Sequence, residues 1–287
     1  MDFKTDFNSY LNMVNSYLHS TFDSKEGTIY EAMRYSLYAG GKRVRPVLTL
    51  ACAEALNGDM DAALRYGGAV EMIHTYSLIH DDLPCMDDDS LRRGKPTNHV
   101  VFGEDMAVLA GDALLNFACE SILSSPSQNA QRDIDALKVL YEASGADGMI
   151  GGQVLDMEAE KRQINAKELE ELHSKKTGAL IRASAAMGAI AAGKDKRLFD
   201  AFASSLGLAF QIRDDILDIE GDAEIFGKPV HSDEKNNKTT YVSLYGMGGA
   251  KEILRDETEK AISSIEFLGE RGEFLRQLAI YLLNREN

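Results

Sequence analysis

The chain has 287 residues, 44% of them hydrophobic and 27% charged, with a formal net charge of −15. That length holds a sizeable core in one large domain or two small ones, and that balance excludes a disordered chain. So acidic a chain lacks the basic face that a nucleic-acid partner needs.

Apolar residues recur at helical spacing nearly throughout. Trp is absent and prolines number five, which favours helix. "FNSYLNMVNSYLHSTF" predicts an amphipathic opening helix, and "TIYEAMRYSLYAG" a second that Gly40 and Gly41 stop. "RPVLTLACAEALNG" starts with Pro46 inside its first turn and ends at Gly58. "DMDAALRYGGAVEMIHTYSLIHDD" is long and runs into an acidic cluster, with Gly67 and Gly68 permitting close helix packing. "EDMAVLAGDALLNFACESILSS" has an acidic first turn. Further helices are predicted over roughly 130–145, 146–160, 166–192, 195–220, 238–246, 248–267 and 269–284. No run alternates apolar and polar residues, so no strand is predicted. No linker or low-complexity tract divides the chain, and one all-α domain over 1–287 is the simplest account.

Cys52, Cys85 and Cys119 lack metal-type spacing and read as reduced thiols. The first residues carry no basic and apolar signal pattern, and the last carry no lipidation signal. The most apolar stretch, Ala179 to Gly193, contains Arg182 and is too short to span a bilayer. The expectation is a soluble, cytoplasmic protein with no membrane span.

The chemistry sits in charge clusters. In "LIHDDLPCMDDDSLRRG", Asp81, Asp82, Asp87, Asp88 and Asp89 crowd together, and Arg92 and Arg93 follow. Asp81 and Asp82 end an apolar helical run, so they face inward. Pro84 distorts the helix and lets Asp87 return to the same place. In "FQIRDDILD", Asp214, Asp215 and Asp218 share one helical face. Like charges at that spacing cost a few tenths of a kcal/mol per pair. On an ordinary surface helix, water and salt offset that cost. Two such clusters, each at the end of an apolar helix, suggest two carboxylate walls facing one cavity. Hard oxygen ligands at this density suit Mg²⁺, which completes its shell with water and substrate phosphates. A calcium loop of the right length is missing.

The basic residues point to phosphate. Lys42, Arg43 and Arg45 follow the Gly-Gly break, Lys175 and Lys176 precede "TGAL", and Lys228 and Lys238 lie in "FGKP" and "NNKTT". Arg forks grip phosphate oxygens in pairs, and Lys binds them as a point charge. Singly, each basic pair reads as solvated surface. Beside two magnesium-type clusters they describe a diphosphate pocket. The prolines agree: Pro46, Pro84, Pro96 and Pro229 all flank these clusters, and Pro126 sits apart in "SSPSQN". No P-loop, nucleophile elbow or H-E-x-x-H is present.

"GGKRVRP", "LIHDDLPCMDDDSLRRGKPTNH", "KTGAL", "FQIRDDILD" and "GK", in this order from Gly40 to Lys238, resemble the trans-isoprenyl diphosphate synthases, the polyprenyl synthetase family. The resemblance implies a helical bundle around a central cavity and three Mg²⁺ ions. Asp81, Asp82 and Asp87, with Asp214, Asp215 and Asp218, would hold the metal. Arg92, Lys176 and Lys228 would bind an allylic diphosphate, and Lys238 would help close the site. Lys42, Arg45, His74 and Arg93 would take isopentenyl diphosphate. Alone, His74 would read as a core histidine. Thr177 and Gln211, with backbone carbonyl near Lys176, would turn oxygens toward an allylic cation. The proton would leave with the diphosphate, so no protein base is required. The resemblance also implies a homodimer.

Product length should be set upstream of Asp81. Tyr76 lies roughly 7–8 Å below Asp81 along the helix, and Ser77 one step nearer. The family's bacterial type carries two extra residues in the first cluster, here Pro84 and Cys85, and tends to stop at C15 when this position is aromatic. Tyr76 therefore predicts farnesyl diphosphate, with a C20 geranylgeranyl product as the alternative. A terpene cyclase would lack "GGKRVRP", and a non-catalytic partner subunit would usually lose aspartates that this chain keeps.

Overall fold

A computed structural model of the chain describes residues 2–124, 129–220 and 238–284. The elements follow the apolar periodicity. Helix α1 (Phe3–Phe22) starts where the Asp2 carboxylate accepts the Thr5 amide, and it buries Tyr10, Val14, Leu18 and Phe22, one residue per turn. Helices α2 (Thr28–Leu37), α3 (Val44–Ala55) and α4 (Met60–Asp81) follow. A short hairpin, β1 (Leu91–Arg92) with β2 (Lys95–Pro96), precedes α5 (Asn98–Phe102) and α6 (Glu104–Leu123). Then come α7 (Ala130–Ser144), α8 (Met149–Ala159), α9 (Ala166–His173), a π turn (Ser174–Gly178) and α10 (Ala179–Ala191). Helix α11 (Asp200–Glu220) and α12 (Tyr241–Ser264) pack side by side, and a 3₁₀ turn (Glu266–Gly272) leads into α13 (Glu273–Asn284).

Helices α3, α4 and α10 form the centre, and α1, α6 and α7 pack around them. Nearly every side of α3 and α10 is buried, as their small and apolar residues dictate. A fully enclosed leucine such as Leu48 or Leu50 contributes about 2–3 kcal/mol over an exposed one. Close approach needs glycine: a Cβ on Gly67 would press on the Pro46 backbone, and one on Gly188 would meet the Thr49 carbonyl and Cys52. A second, smaller apolar cluster joins Leu169 and Leu172 of α9 to Ile212 and Ile216 of α11 and to Tyr241 and Leu254 of α12. The two acidic clusters ride on α4 and α11, one from each apolar body.

Three features depart from the periodicity. The long helix expected over 166–192 is interrupted by the π turn. Helices expected over 238–246 and 248–267 run together across a kink at Gly246, where φ is 69°. The hairpin pairs Leu91 with Pro96 and Arg92 with Lys95, and its two-residue turn has Arg93 and Gly94 at φ 54° and 73°. Both turn residues have positive φ, as a type I′ turn requires, and two-residue strands are too short to alternate. Helix α6 reaches the length and mean hydropathy (1.5) of a bilayer span. It also carries Glu104, Asp105, Asp112 and Glu120, and its Ala107, Ala110, Gly111 and Leu114 are buried within the bundle.

Candidate active site

The first acidic cluster is built at a helix end. Helix α4 stops at Asp81, and the chain loops through Pro84 and Cys85. The Asp87 amide then donates back to the Asp81 carbonyl at 2.9 Å, and the Asp88 amide to Leu83 at 3.1 Å. Asp87 is thus folded onto the end of α4. Asp81 is enclosed among like charges: burial first, then Asp87 and Asp82, raise its pKa to about 6 against the pull of Lys176 and Arg92. Asp82 is 3% exposed and grips Arg92, whose Nε donates to its two oxygens at 2.7 and 2.9 Å. Arg92, expected at a diphosphate, is therefore first a partner of Asp82, with Asp89 3.7 Å away.

The second cluster lies inside α11. Asp215, 3% exposed, accepts the Tyr241 backbone amide at 2.8 Å and the Gln211 amide at 3.3 Å. It thereby holds the first residue of α12, where a carboxylate is favoured by the helix dipole. Gln211 in turn accepts from the Thr177 hydroxyl at 3.0 Å. The π turn, α11 and α12 are joined by one hydrogen-bonded line. Asp218 is buried and Asp214 half-buried on the same face.

Each cluster acts on nearby cations: Lys176 pulls on Asp81, Asp87 on Lys238, and Asp214 on Arg45. The two lysines meet at a residue that the sequence pattern did not single out. Asp156 of α8 holds Lys176 at 2.6 Å and Lys238 at 3.4 Å, and Glu160 takes Lys238 at 3.2 Å. Burial pushes the Asp156 pKa up, but the two lysines outweigh it and hold the carboxyl below its usual range. Burial works against the Lys238 ammonium too, yet Asp156 and Glu160 raise its pKa to about 12. An aspartate in "GGQVLDME" gives no signal by itself; only the two lysines that converge on it do.

The other basic set gathers around His74, about two turns before Asp81 on α4. Arg43 is not available there, since it is buried against Glu71 at 2.6 Å and donates to the Leu37 carbonyl. Arg93 lies over Gly41, where a Cβ would collide with its guanidinium, and donates to the Gly40 carbonyl. That close approach is what the Gly-Gly break provides. The Arg45 Nε is buried without a hydrogen-bond partner. His74 is held well below its ordinary pKa by burial and then by Arg45, Arg93, Arg92 and Arg43. This crowd of cations around one orphaned donor fits an anion such as a diphosphate. Lys175 pairs with Glu171 at the surface, and Lys228 lies outside the described residues.

Below Asp81, Tyr76 is 5% exposed and its hydroxyl is buried without a partner. Its ring meets His80 edge-on at 5.7 Å. His80 is seated over Gly111 and bonds the Val108 carbonyl at 3.1 Å. Ser77 turns its hydroxyl to the His74 carbonyl. A surface depression of about 450 Å³ between Asp23, Arg34, Tyr38 and Phe102 includes none of the clustered aspartates. A far smaller one, about 30 Å³, sits against Asp82, Arg92 and Arg93.

Among the described residues, no three potential ligands close into a ready-made metal cage. Magnesium does not require one, because water and substrate phosphates fill most of its shell. The donors are hard carboxylate oxygens, and Asp81, Asp82 and Asp87 are gathered at one helix end by the Asp87 amide's bond to the Asp81 carbonyl. These residues fit the ion.

A family model described as polyprenyl synthetase matches residues 26–268. The chain is 44% identical to the farnesyl diphosphate synthase of Micrococcus luteus over 279 residues, covering 96% of each chain. It is 52% identical to that of Geobacillus stearothermophilus over 236 residues, 80% of each. A geranylgeranyl diphosphate synthase from Cyanophora paradoxa is 44% identical, over 90% of this chain and 88% of its own. Among solved structures, a Helicobacter pylori geranyltransferase complexed with magnesium and isoprenyl diphosphate superposes with a TM-score of 0.82. It is 35% identical and covers 97% of this chain and 96% of its own.

Proposed function

We propose that this chain, which belongs to the polyprenyl synthetase family, is a prenyltransferase that condenses isopentenyl diphosphate with dimethylallyl or geranyl diphosphate to give farnesyl diphosphate. The observation that carries the reading is the pairing of two acidic clusters with two separate cation sets around the end of α4. One set, Lys176 and Lys238 on Asp156, suits the diphosphate that leaves. The other, Lys42, Arg45, His74 and Arg93, suits the diphosphate that stays. Arg92, and Lys228 by resemblance, join the first.

Asp81, Asp87, Asp214 and Asp218 would hold magnesium, with Asp82 and Asp215 behind them. We take the number of ions as three. Magnesium, when bound, supplies positive charge against the diphosphate as it departs. The allylic C–O bond breaks, and the lysines neutralise the charge that develops on the leaving oxygen. The double bond of isopentenyl diphosphate forms the new C–C bond at the allylic cation. A proton from its C2 then passes to the freed diphosphate. Thr177, Gln211 and the carbonyls of the π turn direct oxygens at the cation, and apolar walls exclude water.

Tyr76 forms the cavity floor and sets the C15 product. The test is to incubate the protein with Mg²⁺, isopentenyl diphosphate and dimethylallyl diphosphate, remove phosphate, and separate the alcohols by length. A dominant C15 alcohol is expected. C20 would overturn the product, and no prenyl alcohol would overturn the activity. We further propose a cytoplasmic homodimer joined through α5 and α6, where Val100, Val101, Val108 and Leu109 are exposed. Light scattering at monomer mass would exclude it.

A further inference from the structure

The π turn Ser174–Gly178 carries Lys176 and Thr177. Such a turn inserts one residue into a helix and leaves a junction carbonyl without its α-helical N–H partner. It persists only if its surroundings hold it. Three neighbours do so. Arg182, two turns onward on α10, reaches back over the turn. Its Nη1 donates to the Ser174 hydroxyl and its Nη2 to the Ser174 carbonyl, both at 3.1 Å. Its guanidinium also covers Gly178, where a Cβ would lie 3.0 Å from Nη1. From α8, Gly152 lies so close that any Cβ would strike the Lys176 backbone. From α11, a Cβ on Gly207 would sit 3.1 Å from the Gly178 Cα. The glycines make room for the turn, and Arg182 adds two donors at its first residue.

We infer that Arg182 is a positioning residue, which fixes the π turn so that Lys176 and Thr177 face the reacting diphosphate. The inference rests on the function proposed above. Were the bulge to relax into α-helix, the register across the turn would shift by one residue and swing its side chains by about 100°. Lys176 would leave Asp156, and Thr177 would leave Gln211. A misplacement of about 1 Å at such a site can cost about a hundredfold in rate.

The experiment compares wild type with Arg182→Gln, Arg182→Lys and Ser174→Ala. Hydrogen exchange is followed at the amides of 174–179 in the substrate-free protein, and KM and kcat are measured for each substrate. For Arg182→Gln we expect exchange in this segment to quicken at least tenfold while α3 and α4 are unchanged. We expect kcat to fall ten- to a hundredfold and the KM of the allylic substrate to rise severalfold. The KM of isopentenyl diphosphate should stay within twofold. Arg182→Lys should recover part of the loss, and Ser174→Ala should lose two- to fivefold in kcat. Unchanged exchange and kinetics in Arg182→Gln would overturn the inference. So would faster exchange across the whole molecule with both KM values raised alike. If Arg182→Gln does not fold, unchanged segment exchange in both Arg182→Lys and Ser174→Ala would overturn it. Absence of prenyl product from wild type would sink the proposed function alone, because the exchange comparison still judges the brace.

Discussion

The two acidic clusters solve one problem with different chemistry. Each contains an aspartate that the fold itself uses. On α4, Asp82 is neutralised by a charged partner, the Arg92 guanidinium. On α11, Asp215 is satisfied by neutral donors, the Tyr241 backbone amide and the Gln211 side chain. The neighbours differ as well. Below Asp81 the helix offers an aromatic ring, Tyr76, whereas one turn before Asp215 it offers a polar relay, Gln211 to Thr177. The first cluster is thus mounted over an apolar floor and the second over a hydrogen-bonded brace. The clusters are not interchangeable walls: under the proposed function the first would measure the chain, and the second would align the π turn.

The largest expected effect comes from two of the carboxylates proposed to hold metal. Asp81→Ala and Asp214→Ala should each lower kcat by about two to four orders of magnitude, since both remove charge at the departing diphosphate. Circular dichroism melts should change little. A near-normal rate in either variant would remove that residue from the metal set. The comparison sharpens with the two fold-bound aspartates. Asp82→Asn leaves Arg92 without its charge partner and should cost about 2–4 kcal/mol of stability. Asp215→Asn keeps an oxygen for the Tyr241 amide and should cost about 1 kcal/mol. Equal losses in urea melts would erase the distinction between an ion pair and a neutral cradle.

The floor beneath the first cluster gives the next test. Tyr76→Ala should shift the product from C15 to longer alcohols while leaving the rate of the first condensation within about tenfold. If the variant still makes only C15, the ruler is another residue. The buried, unpartnered Tyr76 hydroxyl already weighs against a polar role for this ring, because an unmet hydroxyl costs about 1–3 kcal/mol.

Much of this was legible in the sequence, and the remainder has physical reasons for being hidden. Periodicity located the helices because α3, α4 and α10 bury apolar residues at every turn. Crowded aspartates mark a candidate site because like charges require a partner. What charge alone cannot reveal is which partner each residue takes. Asp82 and Asp215 read like their neighbours, yet the fold claims both. Asp156 was invisible because its meaning comes from lysines 20 and 82 positions away. The π turn was invisible because "SKKTGAL" has ordinary helical propensities, and its widening is imposed by Gly152, Gly207 and Arg182 from outside. The Arg93 turn was missed because two-residue strands carry no alternation.

A last test separates the two regions by pH. His173, the residue before the π turn, is buried and stacked 25° to Tyr241. Burial first, with Lys176 adding to it and Asp156 opposing, lowers its pKa to about 4. The unfolded chain therefore takes up this proton first as pH falls, so stability is lost between about pH 6.5 and 4. At 1.36 kcal/mol per unit the loss is at most about 3 kcal/mol. Asp81 has the opposite sign. Its folded pKa of about 6 means that the native state binds the proton first, so stability is gained as pH falls from 6 toward 3.8. In wild-type protein kept metal-free with chelator, the two slopes oppose each other near pH 5. His173→Phe should remove the loss and let the Asp81 gain show, so that urea midpoints rise as pH drops from 6.5 to 4.5. Asp81→Asn should do the reverse and steepen the fall. Parallel pH profiles in all three proteins would mean that neither group's pKa differs between the folded and unfolded states.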